Sequence, residues 1–120
     1  MNKDIIVVED EKEIAIFHYK AFCELLVECI SIYGNTTIEN AQQLVKNFYP
    51  IQHPIESTIA VSIFAHEPFY YWAMLARYGE MYWLGHPERE EIPDSYQEWL
   101  DNALARYGLD EFYDFIDKQE

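Results

Sequence analysis

The sequence predicts an all-α fold, a compact bundle of about five or six helices in a single domain over residues 1–120. Apolar residues recur at steps of three and four along most of the chain, and residues typical of helix starts and stops flank these segments. A chain of 120 residues that is 50% hydrophobic is also long enough to bury one core without disulfides or metal. The alternative is an α+β fold with one or two short strands near residues 5–8 and 58–64.

The first predicted helix covers residues 10–33. Asp10 and Glu13 have the spacing of a capping box, and Gly34 supplies a stop. Apolar residues between them keep a helical period: Ile14, Phe17, Ala21, Leu25, Cys29 and Ile32. The preceding residues 4–8 are interpreted as a short strand or an extended lead-in.

The middle of the chain contains one clear helix and one ambiguous segment. Thr36 and Glu39 repeat the capping-box spacing, and the helix that follows should end by Pro50. In the segment 57–67, isoleucine and valine alternate as in a strand, but the isoleucines also recur every four residues. A helix is favoured because the neighbouring segments are helical.

Three more helices are predicted in the C-terminal half. A helix after Pro68 is apolar nearly all round, which is typical of a buried central helix. Residues 85–93 are polar and proline-bearing, and indicate a loop. A helix over residues 94–108 begins with Asp94 or Ser95, and a short helix covers residues 110–120.

The pentapeptide LARYG occurs at residues 75–79 and again at 104–108. In the second copy, Arg106 suits the negative end of a helix and Gly108 suits a left-handed stop. The first copy could end its helix in the same way, or the helix could continue through Gly79. The similarity does not extend beyond the five residues, so it indicates a shared helix-ending signal and not a repeated module.

The charge balance restricts the classes of partner. Eight basic residues against 22 acidic ones give a net charge of −14. Such a chain would be repelled by phosphate backbones and anionic lipids, so direct nucleic-acid or membrane binding is disfavoured and a basic protein partner is favoured. No signal peptide or membrane-spanning segment is expected from the apolar pattern, and the two cysteines are poorly placed to pair, which together favour a reducing cytoplasm.

Sequence motifs give little support to catalysis, and no cofactor is expected. The chain lacks a zinc-binding HExxH or CxxC pattern, a nucleophile elbow and a phosphate-binding glycine loop. One enzymatic alternative remains open, a small metal-dependent enzyme that uses His66 and His86 with nearby carboxylates. A third alternative is a scaffold or oligomer subunit with the tyrosine-rich helix as its interface.

The acidic C-terminal third carries the leading functional hypothesis. From residue 88 onward, the sequence contains eleven acidic residues and three basic ones. This excess predicts a non-enzymatic inhibitor that covers the cationic cleft of a nucleic-acid-handling protein, as an immunity protein to a nuclease toxin, an antitoxin or a DNA-mimicking anti-defence protein would. The predicted partner-binding residues are Glu88, Glu90, Glu91, Asp94, Glu98 and Asp101, followed by Asp110, Glu111, Asp114 and Asp117.

Overall fold

A three-stranded antiparallel sheet and six α-helices make up the part of the chain that the computed structural model describes, residues 4–118. The all-α prediction is therefore wrong, and the α+β alternative gives the correct class. The alternative is right about a strand near residues 5–8, but residues 58–64 form part of a helix, as the favoured interpretation of that segment predicted.

The sheet joins the two ends of the chain. Its strands are β1 (Ile6–Glu9), β2 (Glu13–Phe17) and β3 (Tyr113–Asp117), in the spatial order β1-β2-β3. Ile16 is the partner of Val7 on one side and of Asp114 on the other. Both terminal helix predictions are corrected here, since residues 13–17 and 113–117 are strands.

The alternation of buried and more exposed side chains explains why these segments are strands. In β2, Ala15 and Phe17 are fully buried while Ile14 and Ile16 lie on the opposite face and are half-buried. An alternating run of β-branched residues suits a pleated strand, even though some of the same residues also match a helical period. The first helix consequently begins only at Tyr19.

The side chain of Asp10 organises the turn between β1 and β2. Its Oδ1 accepts hydrogen bonds from the backbone N–H groups of Lys12 and Glu13, at 2.8 and 2.9 Å. Its Oδ2 accepts a 2.8 Å bond from the buried hydroxyl of Thr58. The predicted capping box was therefore a true side-chain-to-backbone signal that the chain uses in a hairpin turn, because aspartate makes similar local bonds in both settings.

Because of Asp10, we expect the folding stability of the protein to depend on pH. The hydrogen bonds from the Lys12 and Glu13 amides and from Thr58 hold the pKa of Asp10 below its usual value of 3.8. Because the folded pKa is depressed, the stabilisation is complete above the unfolded pKa and is lost as the pH falls through the folded one. Asp10→Asn should lower the urea midpoint at pH 7, and its difference from the wild type should shrink below about pH 4.

Glu11→Gln is the matched control for this prediction, because it removes a neighbouring exposed carboxylate from the same turn without touching the three hydrogen bonds of Asp10. If the urea midpoint of the wild type exceeds that of Asp10→Asn by the same amount at neutral and at acidic pH, Asp10 is not the source of the pH dependence.

Six helices connect β2 to β3. Their bounds are α1 Tyr19–Tyr33, α2 Ile38–Lys46, α3 Tyr49–Gln52, α4 Thr58–His66, α5 Phe69–Tyr78 and α6 Tyr96–Arg106. Thr37, one residue after the predicted Thr36, caps α2 through a side-chain bond to a backbone N–H group, and Ser57 caps α4 in the same way. Ser95 precedes α6 as predicted but makes no side-chain bond to the helix. Among these helices, in residues 4–118, none is long and apolar enough to cross a membrane.

The two LARYG segments both end helices. Gly79 and Gly108 follow α5 and α6 with φ angles of 88° and 68°, a region that favours glycine. The interpretation as a shared stop signal is confirmed, and the first copy does not continue as helix through Gly79.

The hydrophobic core lies between the inner face of the sheet and the helices. Its centre is a cluster of buried phenylalanine rings contributed by β2, α1, α4, α5 and the segment before β3: Phe17, Phe22, Phe64, Phe69 and Phe112. Helices α1 and α5 pack against each other, with α2 beside both. Since Phe112 belongs to the cluster, the core fixes where the acidic C-terminal segment lies.

Candidate functional site

An exposed apolar loop follows α5. Met81, Trp83 and Leu84 expose 56%, 40% and 68% of their surfaces, although all three are large apolar side chains. Met81 also has a φ of 59°, an uncommon conformation for a residue other than glycine. Tryptophan and methionine are enriched at protein interfaces, so this group, which we term the apolar loop, has the composition of a binding hot spot.

Specific contacts hold the apolar loop in place. The N–H of Leu84 donates to the carbonyl of Met81 at 3.0 Å, and the guanidinium of Arg89 donates to the carbonyl of Tyr82 at 3.1 Å. Arg89 also lies 3.5 Å from the centre of the Tyr78 ring, a cation–π contact. A loop fixed in this way loses less conformational freedom when a partner binds.

Three of the predicted acids lie directly beside the apolar loop. Glu88 and Glu90 belong to a 3₁₀ helix (Pro87–Glu90), Glu91 follows it, and all three are exposed. The backbone of this segment is anchored to α5, because the hydroxyl of Tyr71 donates to the carbonyl of Glu90 at 2.8 Å. We call Met81, Trp83, Leu84, Glu88, Glu90 and Glu91 the loop face.

A second group of predicted acids gathers between α6 and β3. Burial, and then the charges of Asp101 and Asp110, raise the pKa of Glu111. Burial, followed by the charges of Glu111 and Asp114, raises the pKa of Tyr113. Asp101 and Asp110 thus act on Glu111, and Glu111 and Asp114 act on Tyr113. We call Asp101, Asp110, Glu111 and Asp114 the acidic cluster.

The three remaining predicted acids are exposed but belong to neither group. Asp94 lies in the turn before α6, and Glu98 lies in the first turn of that helix. Asp117 lies at the far end of β3, opposite Glu13. The ten predicted residues thus do not share one tight site.

The arginines do little to neutralise these carboxylates, because their contacts lie elsewhere. Arg77 donates to the carbonyl of Gly34, and Arg106 donates to Glu28 of α1 at 2.6 Å. Within residues 4–118, the ion pairs of the loop face and the acidic cluster involve histidine alone: His86 lies 3.4 Å from Glu88, and His18 lies 4.0 Å from Asp114. Within the described part of the chain, the carboxylates of the loop face and the acidic cluster therefore form no ion pair with lysine or arginine.

Sequence reasoning missed the role of two further acids on α1. Glu28 accepts hydrogen bonds from the indole of Trp99 and from Arg106, while Glu24 accepts one from the hydroxyl of Tyr107. Burial and then the bond to Glu24 raise the pKa of Tyr107 to about 12. These glutamates attach α6 to α1, so this side of α1 is in part a helix–helix contact.

The histidines named in the metal-enzyme alternative make separate local contacts. The Nδ1 atom of His66 lies 2.8 Å from the carbonyl oxygen of Ser62, one turn earlier on α4. His86 faces Glu88 in the 3₁₀ segment. Across the described residues 4–118, no three histidine, cysteine, aspartate or glutamate side chains are arranged to hold a metal ion.

Both cysteines are free thiols on α1. Burial raises the pKa of Cys23 to about 11, and burial raises the pKa of Cys29 further still. A thiol with a raised pKa is rarely deprotonated at neutral pH and is a poor nucleophile. Neither cysteine has the environment of a catalytic residue.

Comparison with known proteins gives no assignment, since no protein-family model, curated protein or solved structure matches this chain. Function is therefore inferred from the geometry and charge of the chain itself.

Proposed function

We propose that this protein is a non-enzymatic inhibitor that binds a basic, nucleic-acid-handling protein and blocks its cationic cleft. The candidates for this role are an immunity protein to a nuclease toxin, an antitoxin and a DNA-mimicking anti-defence protein. The observation that supports the proposal best is the loop face, in which three exposed apolar side chains are followed along the chain by three exposed glutamates. Protein interfaces combine apolar and polar side chains, and the loop face has both.

The charge of the chain suits it to such a partner. A net charge of −14 attracts a cationic surface over long range and repels nucleic acid that competes for it. Electrostatic attraction chiefly raises the association rate, whereas buried aromatic anchors chiefly slow dissociation. In the proposed mechanism the carboxylates accelerate association with the partner, and Met81, Trp83 and Leu84 slow its dissociation.

The cytoplasm is the proposed location, because free thiols at Cys23 and Cys29 suit a reducing compartment. A nuclease or other nucleic-acid-binding protein acting in that compartment would be the relevant partner. The proposal does not depend on whether the protein acts as a monomer.

We expect the triple variant Glu88→Gln/Glu90→Gln/Glu91→Gln to associate with the partner on the order of tenfold more slowly at low salt. The partner is first recovered from native cells by capture at low salt and must itself bind nucleic acid. Association and dissociation are then followed by stopped-flow fluorescence at several salt concentrations. In the same assay, Trp83→Ala should leave association nearly unchanged and accelerate dissociation at least tenfold.

The matched control is Asp101→Asn/Asp110→Asn/Glu111→Gln in the acidic cluster, because it also changes the net charge from −14 to −11. If both triple variants slow association equally, the loop face contributes no more than the acidic cluster and is not the preferred site. A partner that still binds nucleic acid when saturated with this protein would refute the competitive mechanism.

A further inference from the structure

Strand β1 forms an edge of the sheet, and its outer side has no partner strand within residues 4–118. The N–H of Asp10 donates to the carbonyl of Glu13 at 3.0 Å, so these two residues form a hydrogen-bonded pair. Hydrogen-bonded and non-hydrogen-bonded pairs then alternate along β1 and β2. With this register, Ile6 and Val8 hydrogen-bond to β2. The N–H and C=O groups of the alternate residues, Ile5, Val7 and Glu9, therefore point away from β2 along the open edge.

Strand β1 has some but not all of the usual protection against strand pairing. Natural edge strands are short, carry charges, proline, lysine or a bulge, or are covered by another element. Strand β1 is four residues long and ends in Glu9. Strand β1 contains neither proline nor lysine, and its register with β2 is continuous from Ile6 to Glu9. The side chains of Ile5 and Val7 are 49% and 62% exposed. The edge is thus available to an extended segment.

An open groove of about 670 Å³ runs beside the same strand. On the β1 side it is lined by residues 5–8, and on the other side by Tyr19 and residues 51–56. Side chains of an added strand would alternate between the two faces of the sheet. One set would enter the groove near Ile51 and Ile55, and the other set would lie beside Val7 on the outer face.

The charges around the edge discriminate between possible occupants. In a second copy paired antiparallel about Val7, Asp4 of each chain would lie opposite Asp10 of the other, and directly opposed like charges are destabilising. Asp4 and Glu56 flank the edge and the groove, while Glu9 at the end of β1 is paired with Lys118 at 3.4 Å. The carboxylates of Asp4 and Glu56 favour an extended segment that carries lysine or arginine.

We propose that the open edge of β1 binds an extended segment of the cationic partner by strand addition, with apolar side chains in the groove and basic side chains near Asp4 and Glu56. The choice of occupant rests on the proposed function, since it takes the partner to be cationic. The binding mode rests on the edge and the groove. Main-chain hydrogen bonds would supply affinity, and the groove would select alternate side chains.

The test uses a fluorescent, end-capped octapeptide of alternating lysine and valine, whose binding is followed by anisotropy. Val7→Pro removes an outward N–H but no bond to β2, so the hairpin should survive while peptide binding weakens at least tenfold. Val7→Ala is the matched control, because it shortens the same side chain and keeps the N–H. Thermal melts confirm that both variants are folded, and amide exchange at Val7 in the wild type should slow when the peptide binds.

Backbone N-methylation of the peptide separates strand addition from attraction of charge alone. Because N–H groups alternate between the two edges of a strand, methylating either the lysine or the valine nitrogens blocks one edge and leaves the other. One of these peptides should lose binding and the other should retain it. Equal binding of both, or equal binding to Val7→Pro and Val7→Ala, would overturn the proposal.

A second copy at this edge would overturn it as well, and would appear in analytical ultracentrifugation as a dimer that Val7→Pro dissociates. None of these measurements involves the loop face, and the kinetic test of the loop face does not involve β1. Failure of one proposal is therefore distinguishable from failure of the other.

Discussion

Phe22→Ala is expected to lower the free energy of unfolding by about 3–5 kcal/mol, the largest effect of any single substitution considered. The Phe22 side chain is fully buried, and its ring centroid lies 4.8 Å from that of Phe69 and 5.0 Å from that of Phe112. Phe17 and Phe64 each lie at 5.3 Å. Removal of this ring loses its burial and leaves a cavity that rings from four other parts of the chain must enclose.

Urea denaturation followed by circular dichroism measures this loss. The control is Ile32→Ala on the same helix, where the side chain is 51% exposed and the change should stay within about 0.5 kcal/mol. If Phe22→Ala fails to fold, Phe22→Leu provides a milder version with an expected loss of about 1 kcal/mol. Equal unfolding midpoints for Phe22→Leu and the wild type would contradict the placement of Phe22 at the centre of the core.

The phenylalanine cluster also shows why the sequence favoured the all-α class over the α+β alternative. Phe17 and Phe112 enter the cluster because β3 pairs with β2, which brings Ile14 opposite Ile116 from near the other end of the chain. A periodicity read over a short window detects no such pairing. Locally, Asp10 and Glu13 gave a valid capping signal, but the three-dimensional context assigns it to a hairpin turn.

Features determined by local chemistry were predicted correctly. Pro68 precedes α5, and Gly79 and Gly108 end their helices with positive φ angles. Each of these outcomes depends on the backbone preference of one residue, which the sequence states directly. The helix over residues 58–66 was favoured by its context and is present.

The sequence predicted which acidic residues are candidates for the site, but not how they are arranged. All ten predicted acids are exposed, as their charge requires, but their grouping depends on how α6 and β3 pack. The apolar loop was missed because Met81, Trp83 and Leu84 continue the aromatic run of a buried helix in the sequence. The glycine stop at Gly79 was the available signal, since it marks where the helix ends and the run leaves the core.

Tyr96→Phe is expected to cost about 1–3 kcal/mol of unfolding free energy, although it removes a single oxygen atom. The hydroxyl of Tyr96, a buried residue of α6, accepts a 2.8 Å hydrogen bond from the backbone N–H of Phe69. This N–H lies in the first turn of α5, where a helix offers no internal partner, and Pro68 at the N-cap provides no side-chain bond. Loss of the hydroxyl leaves a buried donor unsatisfied.

The same hydrogen bond attaches α6, with Glu98 and Asp101, to the start of α5. Urea denaturation gives the change in stability, and the exposed residue Tyr49 provides the control, because Tyr49→Phe should change the free energy by less than about 0.5 kcal/mol. Amide exchange at Phe69 should accelerate in Tyr96→Phe beyond the change in global stability. If exchange at Phe69 rises no more than at other α5 amides, the hydroxyl does not cap the helix, and α6 is held mainly by the contacts of Glu28 with Trp99 and Arg106.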